Sequence, residues 1–164
     1  MSDDFFEVRV DLDREATEEH KQLAREIFAT EKVGIRGRYA SEVTTIVEVA
    51  STLALGAGGS ALWEFVKWGA PRVKNYVQNK LFDNSAVAIA TYRAESAGLL
   101  WEIRHRSDQH LGEYEAGIII TGVDTWQLPE DAARISINLV EKRVAVFDST
   151  GLHIEDIDWP DSSN

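Results

Sequence analysis

The chain has 164 residues, a 44 % hydrophobic share and 27 % charged residues, which suits one domain with its own core and argues against intrinsic disorder. It contains no cysteine, which excludes disulfides, thiolate metal sites and cysteine nucleophiles together and fits a reducing compartment. A net charge of −11 works against non-specific nucleic-acid binding, which needs a positive footprint, and suits a basic partner or simple solubility.

The opening MSDDFFEVRV lacks a basic stretch followed by an apolar one, so no signal peptide is read and the expected location is cytoplasmic. Phe5–Leu12 alternates, with Phe6, Val8, Val10 and Leu12 on one face, and predicts a strand. Asp13 is positioned to cap a surface helix over Arg14–Lys32, where Ala16, Leu23, Ile27 and Phe28 recur at roughly helical spacing. Val33–Tyr39 reads as a short strand or turn, and the β-branched Val43–Val49 as a strand. Leu62, Val66, Ala70, Val73 and Val77 then mark a helix face. Pro71 lies within it, so the helix either kinks there or gives way to a second helix that starts at Pro71. Ala86–Arg93 predicts a strand with Gly98–Arg106 as its hairpin partner, and Asp108–Gly112 a turn. Glu115–Thr121 is apolar and β-branched and predicts a further strand. Leu128–Val140 predicts a helix that opens with acidic residues, although I-S-I-N-L alone suits a strand. Val144–Asp148 and Leu152–Ile157 read as strands around a Ser149–Gly151 turn. The expected order is β-α-β-α and then mostly strands. That is a single α+β domain over residues 1–157, an antiparallel or mixed sheet with two to three helices, followed by a frayed polar tail over 158–164.

Charge is unevenly spread. Residues 65–107 carry 7 basic and 3 acidic groups, whereas residues 108–164 carry 3 and 12. Between Phe65 and Phe82 the charged residues are Lys67, Arg72, Lys74 and Lys80, interleaved with aromatics. Trp63, Phe65, Lys67, Trp68, Arg72, Lys74 and Tyr76 are therefore candidate interaction residues. Set against that is an amphipathic helix that packs its aromatics on the sheet and turns its lysines to water. The uncharged run Val49–Trp63 is 15 residues, short of the ~20 that a bilayer span needs.

Gly56-Ala57-Gly58-Gly59-Ser60 tests poorly as a phosphate loop, because no lysine follows the last glycine. Gly56, Gly58 and Gly59 instead read as a segment where the backbone turns tightly or approaches a neighbour. His105, Asp108 and His110 are a candidate metal set, at a spacing that matches no helical pair. Asp148, Ser149 and His153 make a triad only on paper, since G-x-S-x-G is absent. No catalytic residue and no cofactor is assigned.

The strand FFEVRVDL, an acidic helix, VTTIVEV, LALGAGGSALWEFVKW, a basic helix and a strand pair closing at LLWEIR together resemble the effector-associated constant component proteins of bacteria. These are small α+β proteins encoded beside NTPases, peptidases or other effectors in conflict systems. The resemblance covers about residues 5–106, with Leu55, Gly56, Gly58, Gly59 and Leu62 as the matching positions. It implies a structural or adaptor-like role without catalytic residues. The acidic segment after Arg106 departs from the usual short domain. The expectation is a non-enzymatic adaptor or regulatory component that binds a protein partner; the alternative is an acidic immunity protein or antitoxin that neutralises a basic toxin.

Overall fold

The structure is a computed structural model and describes residues 5–12, 17–37, 43–48, 58–79, 87–96 and 98–160. Alternation along β1 (Phe5–Leu12) turns Phe6, Val8, Val10 and Leu12 inward, where all four are buried. Three more strands lie on its side of the chain: β2 (Val33–Gly37), β3 (Val43–Glu48) and β4 (Ile89–Ser96). Four more follow: β5 (Leu99–Arg106), β6 (Ala132–Asn138), β7 (Arg143–Asp148) and β8 (His153–Ile157). They form one sheet of eight strands in the order β2-β3-β1-β4-β5-β6-β7-β8. Every neighbouring pair is antiparallel except β5 and β6. Parallel neighbours need a crossover, and α3 (Glu113–Thr125) supplies it. With α1 (Glu18–Phe28) and α2 (Gly59–Val77), this is an α+β fold with a mixed sheet.

The helices contribute to one cluster with the inward face of the sheet: Val8 and Val47, Ala90 and Tyr92, Trp101 and Ile103, Ile135 and Ile137, together with Phe28, Phe65, Tyr76 and Ile119. The other face of the sheet is polar, and its charges alternate across the strands. Arg93 lies 3.7 Å from Glu7 and 3.2 Å from Glu102, and Glu102 lies 2.7 Å from Arg134. Arg9 also pairs with Glu7, and the Arg134 guanidinium sits 4.0 Å from the Phe147 ring centre. This ladder lets Glu7 lie 5 % exposed without an unpaired buried charge.

Two elements differ from the sequence expectation. The strand expected over Glu115–Thr121 is part of α3. As a strand, Ile119 would face opposite to Ile118 and Ile120 and one side would meet the polar face of the sheet; as a helix, Ile118, Ile119 and Gly122 are buried together. The helix expected over Leu128–Val140 is instead the loop into β6. The I-S-I-N alternation prevails, with Ile135 and Ile137 inward and Arg134, Ser136 and Asn138 on the charged face. Helix α1 starts after Thr17, whose backbone N–H donates to His20 Nδ1 at 2.8 Å, and Asp13 lies outside the described residues. Within the tail expected to fray from Asp158, Trp159 packs on the core and donates its indole N–H to the Tyr114 hydroxyl at 2.8 Å, and residues 161–164 lie outside the described residues.

The glycines that open α2 have separate jobs. Gly58 has φ +86°, a conformation other residues adopt only with strain. At Gly59 a Cβ would meet the Ile120 carbonyl oxygen at 2.3 Å, so α2 and α3 touch backbone to backbone there, and the Gly59 N–H donates to Asp124 at 2.9 Å. Gly117, in contrast, has open space where a Cβ would stand. Gly59→Ala is expected to lower the unfolding free energy by about 1–3 kcal/mol through overpacking. Gly117→Ala should raise it by up to about 1 kcal/mol through helix propensity. Urea melts of the two variants check this, and equal effects at both positions would contradict the packing described here.

Candidate functional site

Helix α2 divides its residues by helical position. Phe65 and Tyr76 are fully buried, which corrects their reading as interaction residues. Phe65 stands edge-on to Phe6 and to Tyr92, each at 5.3 Å between ring centres. Tyr76 donates to the His20 carbonyl at 3.2 Å and meets the Thr45 hydroxyl at 3.3 Å, and burial pushes its phenol above the ordinary value of 10.0. Trp68 is half-buried beside Phe28, with Arg72 4.6 Å above its ring. Arg72 also donates to the Trp68 carbonyl at 2.7 Å, so its charge is engaged on its own helix. The helix runs through Pro71 as one element, and the two-helix alternative does not apply. Lys80, Gly56 and Leu55 lie outside the described residues.

Trp63, Lys67 and Lys74 remain, the first half-buried and the two lysines exposed. Lys67 and Lys74 are seven residues apart and so lie on one edge of the helix, with Ala70 and Pro71 between them. Among the described residues, Lys67 makes only a solvent-exposed pair with Glu64, at 3.6 Å. Along this edge runs a cleft of about 290 Å³. Trp63, Lys67, Ala70, Pro71 and Lys74 form one wall, and Ser107–Leu111, the loop from β5 to α3, forms the other. The basic helix and the His-Asp-His stretch, which are distant in sequence, therefore meet at one place.

The loop wall is held by its own bonds. The Arg106 guanidinium grips Asp108 through two hydrogen bonds of 3.1 and 3.0 Å. Gln109 accepts from the Arg106 N–H at 3.2 Å and donates to the Leu139 carbonyl at 3.2 Å. Ser107 exchanges backbone and side-chain bonds with Ala88: its N–H donates to the Ala88 carbonyl at 2.8 Å, and its hydroxyl oxygen accepts from the Ala88 N–H at 3.0 Å. Ser107 went unnoticed in the sequence, where only the histidines and acids around it carry a signal.

His105 does not join Asp108 and His110. Its ring is buried and stacks on Tyr92 at 5.2 Å. Nδ1 is 2.8 Å from the Arg106 carbonyl, which can only accept, so the proton sits on Nδ1 and Nε2 accepts from the Tyr92 hydroxyl at 3.0 Å. No group of three or more His, Cys, Asp or Glu among the described residues is placed to hold a metal. The paper triad does not form either. His153 pairs with Asp156 at 2.6 Å, while Asp148 accepts from the Thr150 hydroxyl at 2.6 Å and from the Leu152 and Thr150 N–H groups at 3.0 and 2.9 Å, which holds its carboxyl below the usual range. Among the described residues, no helix is long and apolar enough to cross a membrane.

No family model, curated protein or solved structure matches the chain.

Burial holds the His105 imidazole below its ordinary value of 6.5. The unfolded chain therefore takes up this proton first as pH falls, so the stability His105 allows is complete above pH 6.5 and declines below it, toward the folded value. The melting temperature of the wild type should drop as pH is lowered from ~7 to ~5. His105→Gln should melt lower at neutral pH and lose part of that slope. Parallel pH profiles for the two proteins would contradict the buried neutral ring.

Proposed function

We propose that the protein is a non-enzymatic adaptor or regulatory component that engages a protein partner through the cleft between α2 and the 107–111 loop. One observation carries this reading. On a chain of net charge −11, Lys67 and Lys74 stand exposed on one helix edge and frame a concave surface with the loop. Such a positive edge on an acidic protein attracts an acidic partner segment that the rest of the surface repels. The placement of this activity in a bacterial conflict system rests on the resemblance of FFEVRVDL, VTTIVEV and LALGAGGSALWEFVKW to the effector-associated constant component proteins.

A second reading, an acidic immunity protein or antitoxin, draws on the β8 edge of the sheet. The edge strand β8 and its continuation present Glu155 and Asp158 to solvent. A basic toxin would meet that edge and not the cleft.

The two readings separate by charge reversal. Co-purification from the native host identifies the partner, and titration then measures its affinity for each variant. Lys67→Glu with Lys74→Glu should weaken binding about tenfold or more, with melting unchanged, because both side chains are exposed. Glu155→Lys with Asp158→Lys should change it less than about twofold. The reverse pattern would replace the adaptor reading with the immunity reading.

A further inference from the structure

We infer that the cleft is a binding site for an oxyanion, a carboxylate or phosphate, carried on a small apolar body. This rests on the cleft identified above but not on the partner being a protein. Ser107 lines the cleft and is 6 % exposed. Its hydroxyl oxygen accepts from the Ala88 N–H, and among the described residues no acceptor takes its proton. A buried hydroxyl keeps a free donor at a cost unless an acceptor arrives. The Lys67 and Lys74 ammonium groups line the same cleft and can only donate.

The acceptor on the loop is already taken. Arg106 donates to both Asp108 carboxylate oxygens and so pairs its charge on the loop, while Lys67 has only the long, solvent-exposed contact with Glu64 at 3.6 Å and Lys74 has no ion pair among the described residues. Donors of this kind call for an acceptor with several lone pairs and negative charge. An oxyanion fits, and it gains charge-assisted hydrogen bonds from both ammonium groups. Part of the remaining lining is apolar. The Trp63 indole, Pro71 and Leu111 offer a flat surface for a ring or branched aliphatic group attached to the anion. A volume of about 290 Å³ admits such a group. The source of the anion is either a free small acid or the terminal carboxylate of a chain that ends in an apolar residue.

Backbone and indole NMR shifts of the full chain, followed during titration, test this. The probes are phenylacetate, phenyl phosphate, a short peptide ending in phenylalanine, and the same peptide amidated. Phenylacetate and phenyl phosphate should give saturable shifts at Ser107, His110 and the Trp63 indole in the millimolar range, and neutral benzyl alcohol should not. Lys67→Ala with Lys74→Ala should weaken binding about tenfold while the spectrum stays folded. Ser107→Ala should weaken it severalfold; as it also strands the Ala88 N–H, the lysine pair is the deciding variant. If the free-acid peptide binds and the amide does not, the ligand is a chain terminus and the adaptor reading gains a defined contact. If only the small acids bind, the oxyanion site stands and the adaptor reading loses the cleft. Equal shifts from benzyl alcohol, or undiminished binding by the lysine variant, would overturn the inference.

Discussion

Gly69 lets the backbone of α2 lie against the ring of Tyr92. A Cβ there would come within 2.4 Å of the ring carbon Cε1. At the first residue of the helix, Gly59 allows the same closeness to Ile120. Seated on these two contacts, α2 sinks Phe65, Val66, Val73, Tyr76 and Val77 fully out of water. Burial of side chains of this size is worth about 1.5–3 kcal/mol each, so this helix carries a large share of the driving force for folding. Its seating fixes which residues are core and which are surface. With the aromatics inward, the lysines at positions 67 and 74 are the groups left outside.

The same seating explains the neighbourhood of Tyr92. Phe65 presses on one part of its ring, Gly69 on another, and His105 stacks against it and accepts its hydroxyl proton. His105 then ties to the Arg106 carbonyl at the last residue of β5, immediately before the loop that walls the cleft. A chain of packed and hydrogen-bonded groups thus runs from the helix through the core to the site. The polar face of the sheet is independent of it: the Glu7–Arg93–Glu102–Arg134 ladder satisfies its charges across four strands, β1, β4, β5 and β6.

Strands with one apolar face, such as β1, are legible because a period of two has a single interpretation when one side is polar. The α+β class and mixed sheet follow from the order of such segments. Glu115–Thr121 and Leu128–Val140 were misread for one reason. In both, a short run fits either period, and the choice depends on which faces the rest of the fold leaves apolar. Ile119 needs the α2 side and Ile137 needs the sheet. The cleft was legible only in its parts. Lys67 and Lys74 stood out by charge and the 105–110 stretch by its histidines, but nothing local says that they meet. Ser107 had no signal, because its significance lies in a proton without an acceptor, which only the fold reveals.

On the proposed reading, this protein meets its partner at the basic edge of α2 and not at its acidic sheet edge. Photo-crosslinking from cells that carry a photoreactive residue at Ala70, or separately at Glu155, tests it most directly. Ala70 lies between the two lysines in the cleft, and Glu155 lies exposed on β8. The account predicts a discrete adduct from position 70 that disappears when Lys67 and Lys74 are reversed in charge, and none from position 155. An adduct from position 155 alone would contradict it.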